Sequence, residues 1–212
     1  MRFLVSFVAN VSTYCMDKIA ALFVSRRGPY WNDPRFHCWD EVRDARKYAG
    51  PYRIIAHPPC ERWGNFSTGN WPGKSPRAIT GDDGGCFEAA LSAVWRYGGV
   101  IEHPAGSKAW RKFGLPLPGK KGTWSGLDTH DGRSVSLTQA SYGHLCTKPT
   151  WLYAVNCPAV PVRSRIKGAY SIVRTKVRTN YTQKELPKSQ RHVTPIPFVD
   201  FLVSMVGVNG YA

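Results

Sequence analysis

Acidic side chains are scarce in this chain. Aspartate and glutamate number 14 against 29 lysines and arginines, leaving a formal charge of +15 over 212 residues. That balance argues against an acidic, cation-gathering surface and favours polyanionic partners, nucleic acid first among them. Long apolar runs are missing too: none reaches the roughly eighteen residues that a helical membrane span needs. Cys-x-x-Cys pairs are absent, and the six cysteines, at 15, 38, 60, 86, 146 and 157, are dispersed. With no convincing leader in residues 1–9, they are expected to be reduced thiols in a cytoplasmic setting. Internal repeats are lacking as well.

Hydrophobic residues make up 42% of the chain, enough for a real core. Residues 2–9 read as a buried strand. Residues 14–24 have helical spacing through Met16, Ile19, Ala20 and Phe23, stopped by Arg26-Arg27-Gly28-Pro29. A short helix is expected over 40–48. A second buried strand over 53–56 ends at Pro58-Pro59, which cannot continue a ladder. Residues 61–84 read as a long loop of the kind that carries function or moves. Asp82 or Asp83 then caps a helix over 86–97, with Phe87, Ala90, Leu91, Val94 and Trp95 on one face. Gly98-Gly99 stops it, and a strand over 100–102 follows. Helix, glycine stop and strand make a βαβ rhythm, which predicts a parallel sheet. Further strands are expected over 135–138 and 150–155, and an apolar helix over 198–206. The fold class is α/β, a Rossmann-like, mostly parallel sheet in one compact domain with long loops and a basic C-terminal segment. Residues 1–160 would form the core, 161–192 a basic, DNA-contacting insertion, and 193–212 a helix that packs back on the core.

Two strand ends carry the chemistry. Ile54-Ile55-Ala56-His57-Pro58-Pro59-Cys60 delivers a thiol, and Val100-Ile101-Glu102-His103-Pro104 delivers a carboxyl group one βαβ unit later. In a parallel sheet such ends sit side by side at the carboxyl edge, where ligands bind. A thiolate that attacks carbon 6 of cytosine makes carbon 5 nucleophilic, and a carboxyl group at the ring nitrogen absorbs the charge. The base must first leave the stack. Cys60 suits the nucleophile, held by the Pro58-Pro59 turn, and Glu102 the ring contact.

These motifs resemble the cytosine-5 DNA methyltransferase superfamily, and more closely the small methylase-like proteins of bacteriophages and prophages. Ala56-His57-Pro58-Pro59-Cys60 is similar to the family's Pro-Cys motif. Ile101-Glu102-His103-Pro104 is similar to its Glu-Asn-Val or Glu-Asn-Pro motif, with His103 in place of asparagine. Gln139-Ala140-Ser141-Tyr142-Gly143-His144, with Lys148-Pro149-Thr150-Trp151-Leu152, resembles a later segment of the phage proteins. The resemblance implies a methyltransferase-like fold and methyl transfer from S-adenosylmethionine to a flipped cytosine in DNA. Cys60, Pro59, Glu102 and Lys148 would then be the catalytic set. The chain departs from the family where the methyl donor binds. Phe7-Val8-Ala9-Asn10-Val11-Ser12-Thr13 has no glycine for the donor loop, and Asp40 or Glu41, with Pro58, are the candidates for the donor pocket. A separate target-recognition domain is also missing.

Arg163, Arg165, Lys167, Arg174, Lys176 and Arg178 alternate with other residues, so that as strands they would aim cations at one face of DNA. Arg62, Tyr142 and His144 join this nucleic-acid set. Trp63, Trp71, Trp110 and Trp124 lie in the two long loops, placed either to stack on unpaired bases or to pin the loops to the core. Two other readings stand beside methyl transfer. One is a non-catalytic DNA-binding relative, serving protection or anti-defence. The other is a metal-dependent enzyme using His57, Cys60, His103, His144 and Cys146, whose spacings suit zinc.

Overall fold

Short apolar runs become neighbouring strands because the sheet buries both of their faces. The computed structural model describes residues 18–64, 79–170 and 185–207. Six strands, β1 (Ile19–Leu22), β2 (Phe36–Trp39), β3 (Ile54–Ala56), β4 (Gly99–Pro104), β5 (Gly132–Thr138) and β6 (Pro149–Val155), form one sheet in the order β2-β1-β3-β4-β6-β5. β1 pairs in parallel with β2 and β3, and β3 with β4, while β6 runs antiparallel to both of its neighbours, β4 and β5. Five strands therefore point one way and β6 alone the other. The chain is an α/β protein with a mostly parallel sheet.

Helix α1 (Cys86–Tyr97) covers one face and α4 (Ile196–Val206) the other, with single-turn helices α2 (Lys108–Lys112) and α3 (Lys188–Arg191) between them in sequence. The two-residue period of the strands decides which side chain meets which helix. Ile54, Ala56 and Ile101 pack in the layer of Phe87, Leu91 and Val94, and Ile55 and Val100 in that of Phe198, Leu202 and Met205. Each such buried aliphatic or aromatic side chain contributes about 1.5–3 kcal/mol over leaving it exposed. Asp83 begins α1 by accepting the amide hydrogens of Gly85 and Phe87, and Gly98 ends it with its amide on the Val94 carbonyl.

Several expectations are corrected. Residues 19–22, expected within a helix over 14–24, form β1. All four are at most 1% exposed. Burial all round erases the periodicity that tells strand from helix in so short a run. The strand expected over 2–9 lies outside the described residues. In place of a helix over 40–48 there is a 3-10 turn, Ala45–Lys47. It is capped by Asp44, whose left-handed backbone (φ 54°) prevents a longer helix from running through it. The strand β2 was not foreseen. No strand forms over 163–167, where the chain runs unpaired across the 3-10 turn Gln139–Tyr142. Among the described residues no helix is long and apolar enough to cross a membrane.

Candidate active site

The β3–β4 register builds the site. Ala56 lies opposite Ile101, so His57 and Glu102 follow as neighbours just beyond the last paired residues of β3. The His57 amide still donates to the Leu22 carbonyl of β1 at 3.0 Å, which extends the sheet by one residue before Pro58-Pro59 ends it. Cys60 then starts a turn closed by the Trp63 amide on its carbonyl. Because β6 runs antiparallel, its beginning lies at the edge where β4 ends, and this brings Lys148 in. Cys60, Glu102, Lys148, Pro58 and Pro59 all line one cavity of about 510 Å³. Tyr30, His57, His103 and His192 line it as well.

A polar network runs through that cavity. Tyr30 Oη lies 2.7 Å from His57 Nε2, and His57 Nδ1 lies 3.0 Å from Glu102 Oε2. Gln139 Nε2 donates to Glu102 Oε1 at 2.9 Å and to Thr150 Oγ1 at 3.1 Å. Burial alone would raise the Glu102 pKa, but the His57 hydrogen bond and the charges of His57 and Lys148 hold it below the usual carboxylate value. The Cys60 thiol is exposed to the cavity, yet desolvation, and then the negative charge of Glu102, push its pKa up. The Lys148 ammonium is pushed down by desolvation, against the pull of Glu102 and Cys60. His103 is a neutral imidazole: burial lowers its pKa to about 4, and Nδ1 pairs with Ser107 Oγ at 2.8 Å.

A second cavity, of about 860 Å³, adjoins the first across Pro59 and the loop that follows β1. Phe23, Val24, Val42, Pro59 and Cys86 give it apolar wall, and Asp40, at the carboxyl end of β2, gives it a carboxylate. Arg26 Nε donates to Asp40 Oδ2 at 2.7 Å and the Arg43 amide to Oδ1 at 2.9 Å. These bonds, the Arg43 amide foremost, lower the Asp40 pKa. Pro58 lines the first cavity and not the second, whereas its neighbour Pro59 lines both.

The nucleic-acid set divides. Arg163, Arg165 and Lys167 are exposed, and Arg62 is half-buried in the turn after Cys60. Arg174, Lys176 and Arg178 lie outside the described residues. Tyr142 is 1% exposed, wedged against Phe198 and Phe201, and its hydroxyl accepts the Arg163 amide. His144 is 6% exposed, with Nδ1 on the Cys146 backbone. Neither offers its ring to an outside ligand, because the turn that carries them is tucked under α4 and the 161–168 run. Trp63 and Trp110 are likewise buried, their indole N–H groups on Asp83 and Ser134, so they pin loops and do not stack on bases. Trp124 donates to the Val160 carbonyl, and Trp71 lies outside the described residues. Among the described residues no group of three or more His, Cys, Asp or Glu could hold a metal ion. His57 engages both ring nitrogens elsewhere in the network above.

Tyr30 and Gln139 were missed as site residues. Gln139 stands in a segment already singled out by its resemblance, so a signal existed. Tyr30 gave none, because its place depends on the loop after a strand misread as helix. Comparison of the chain with protein-family models gives no match, and comparison with curated proteins gives none.

Proposed function

We propose that this chain modifies cytosine in DNA by methyl transfer to carbon 5 of a flipped-out base, with Cys60 as nucleophile. The supporting observation is that Cys60 and Glu102, from adjacent parallel strand ends, line one cavity together with Lys148. The resting Cys60 is a thiol, so its proton must leave as sulfur attacks. Glu102, ionised in the same cavity, receives that proton and passes it to the ring nitrogen as the sulfur–carbon 6 bond forms. Carbon 5 is then electron-rich; once it carries the methyl group, its proton leaves to water, the sulfur–carbon 6 bond breaks, and the ring and the Cys60 thiol are restored. Lys148 offsets the negative charge that collects around Cys60 and Glu102.

The second cavity suits S-adenosylmethionine in size and lining. Its apolar walls can take a flat base, and each Asp40 oxygen keeps a lone pair for ribose hydroxyls. S-adenosylmethionine, when bound, supplies the methyl group. Phe23 and Pro59, which border both cavities, would fix how close the two bound molecules come. The exposed Arg163, Arg165 and Lys167, in a chain of charge +15, are the phosphate-contacting candidates.

The test is incubation with unmodified DNA and isotopically labelled S-adenosylmethionine, followed by nucleoside mass spectrometry. Labelled 5-methylcytosine that falls by roughly 10⁴-fold in Cys60→Ala supports the assignment. Product formed at the wild-type rate by that variant refutes it. A second reading, a DNA-binding relative without catalysis, draws on the Arg26–Asp40 ion pair, which occupies the carboxylate that the donor needs. It expects salt-sensitive DNA binding and no calorimetric heat with S-adenosylmethionine.

A further inference from the structure

Donors of two kinds grip Glu102. Gln139, 1% exposed, commits one amide hydrogen to Glu102 and the other to Thr150, and an amide exchanges no proton with a carboxylate. His57 can. Its far nitrogen faces Tyr30 Oη at 2.7 Å, and a hydroxyl donates to a bare nitrogen or accepts from a protonated one simply by rotating its hydrogen. Tyr30 therefore braces the imidazole in either state. Tyr30 is itself 2% exposed, and its ring meets Phe36 edge-on at 4.9 Å, so it is a rigid support.

We propose that His57, braced by Tyr30, is a positioning residue that keeps Glu102 an ionised acceptor, the form that can take the Cys60 proton. The catalytic consequence rests on the cytosine-modifying reading above, whereas the effect on Glu102 does not. Glu102 is buried, and burial opposes its charge. His57 is the strongest counterweight, followed by Lys148. His103, whose own pKa burial lowers to about 4, adds a smaller influence in the same direction, and Tyr30 is a phenol that burial holds protonated. Cys60, Glu61, Arg27 and His192 complete the titratable and charged lining of the cavity. In His57→Gln the replacing amide can still donate a hydrogen bond but cannot take up a proton, so the strongest influence that lowers the Glu102 pKa is weakened, burial weighs more, and that pKa would rise.

The sign of the pH effect follows. Activity that needs ionised Glu102 falls on the acid side as pH drops through its pKa, which in the wild type lies below the ordinary carboxylate value. In His57→Gln that acid limb should move up by about 1–3 pH units, the range over which a close partner displaces a carboxyl pKa, and activity should recover toward wild type at higher pH. Tyr30→Phe should move it in the same direction by less.

The experiment is a carbon-13 NMR titration of the Glu102 carboxyl group, assigned by its loss in Glu102→Gln, beside rate–pH profiles of wild type, His57→Gln and Tyr30→Phe. An upward shift of the carboxyl midpoint, matched by the acid limb, supports the proposal. An unshifted midpoint in both variants overturns it, as does a rate lowered equally at every pH. Should His57→Gln not fold, Tyr30→Phe decides by the same midpoint. Should the wild type modify no cytosine, the cytosine reading fails, and the carboxyl titration still judges His57.

Discussion

Gly99→Ala should damage the sheet at the point from which the site hangs. Gly99 opens β4 with φ +131° and lies between Ile54 of β3 and Val155 of β6. A Cβ there falls 2.1 Å from the Ile54 carbonyl oxygen, 2.6 Å from its nitrogen and 2.8 Å from its carbonyl carbon. These are backbone atoms of a central strand, so no side chain can swing aside. Backbone strain and overpacking, each costing about 1–3 kcal/mol, together predict a loss of about 2–6 kcal/mol. Gly114→Ala is the control. Its φ is +65°, and nothing lies within 4 Å of an added Cβ, so only the left-handed backbone cost of about 1–2 kcal/mol applies. Urea denaturation of wild type and both variants measures the difference. If β3 and β4 move apart or slip, His57 also leaves Glu102, because the two follow directly from the Ala56–Ile101 pair. A Gly99→Ala loss within about 1 kcal/mol of the Gly114→Ala loss would refute the clash argument.

Further outcomes concern the groups around the cavities. His103 has its pKa lowered from 6.5 to about 4 in the folded chain, so the unfolded chain binds the proton first and stability falls as pH drops through that window. Between pH 6.5 and about 5, above the range in which the carboxylates titrate, this amounts to about 2 kcal/mol. His103→Asn should flatten that slope in denaturation curves, and an unchanged slope would place its origin elsewhere. Arg26→Ala removes an exposed arginine from a buried Asp40 that keeps the Arg43 amide on its other oxygen, so stability should fall modestly. If Arg26 competes for Asp40, calorimetric affinity for S-adenosylmethionine should rise in Arg26→Ala and fall in Asp40→Asn. Equal affinities across the three proteins would remove Asp40 from the donor pocket.

What was legible in the sequence was punctuation. Pro58-Pro59 and Gly98-Gly99 mark where β3 stops and β4 starts, because proline cannot extend a ladder and Gly99 alone tolerates the approach of Ile54. From those marks the adjacency of Cys60 and Glu102 could be read. What failed was periodicity where burial is uniform: Ile19–Leu22 carries no polar face to reveal a strand. Reading it as helix hid the loop after it, and with that loop Tyr30, Phe23 and the second cavity. Tyr142 and His144 were misplaced for the opposite reason. Their turn has loop-like composition, yet α4 and the 161–168 run cover it, and a covered turn keeps its aromatic rings inside.

Lys148 shows why the rest needed three dimensions. By position in the chain it precedes β6 and stands 46 residues beyond Glu102, and nothing local says which edge of the sheet it reaches. A β6 parallel to β4 would put it at the opposite edge, far from the cavity. The antiparallel register, Pro104 against Thr150 and Glu102 against Leu152, turns the start of β6 toward the carboxyl ends of β3 and β4. Lys148 itself adopts φ +42°, a sparsely populated conformation for a lysine. The same register carries Thr150 and, through it, Gln139 to Glu102. One reversed strand thus supplies both the ammonium that offsets charge in the cavity and the partner that orients the amide on the carboxylate. A substitution that loosens β6 should therefore disturb Lys148 and Gln139 together.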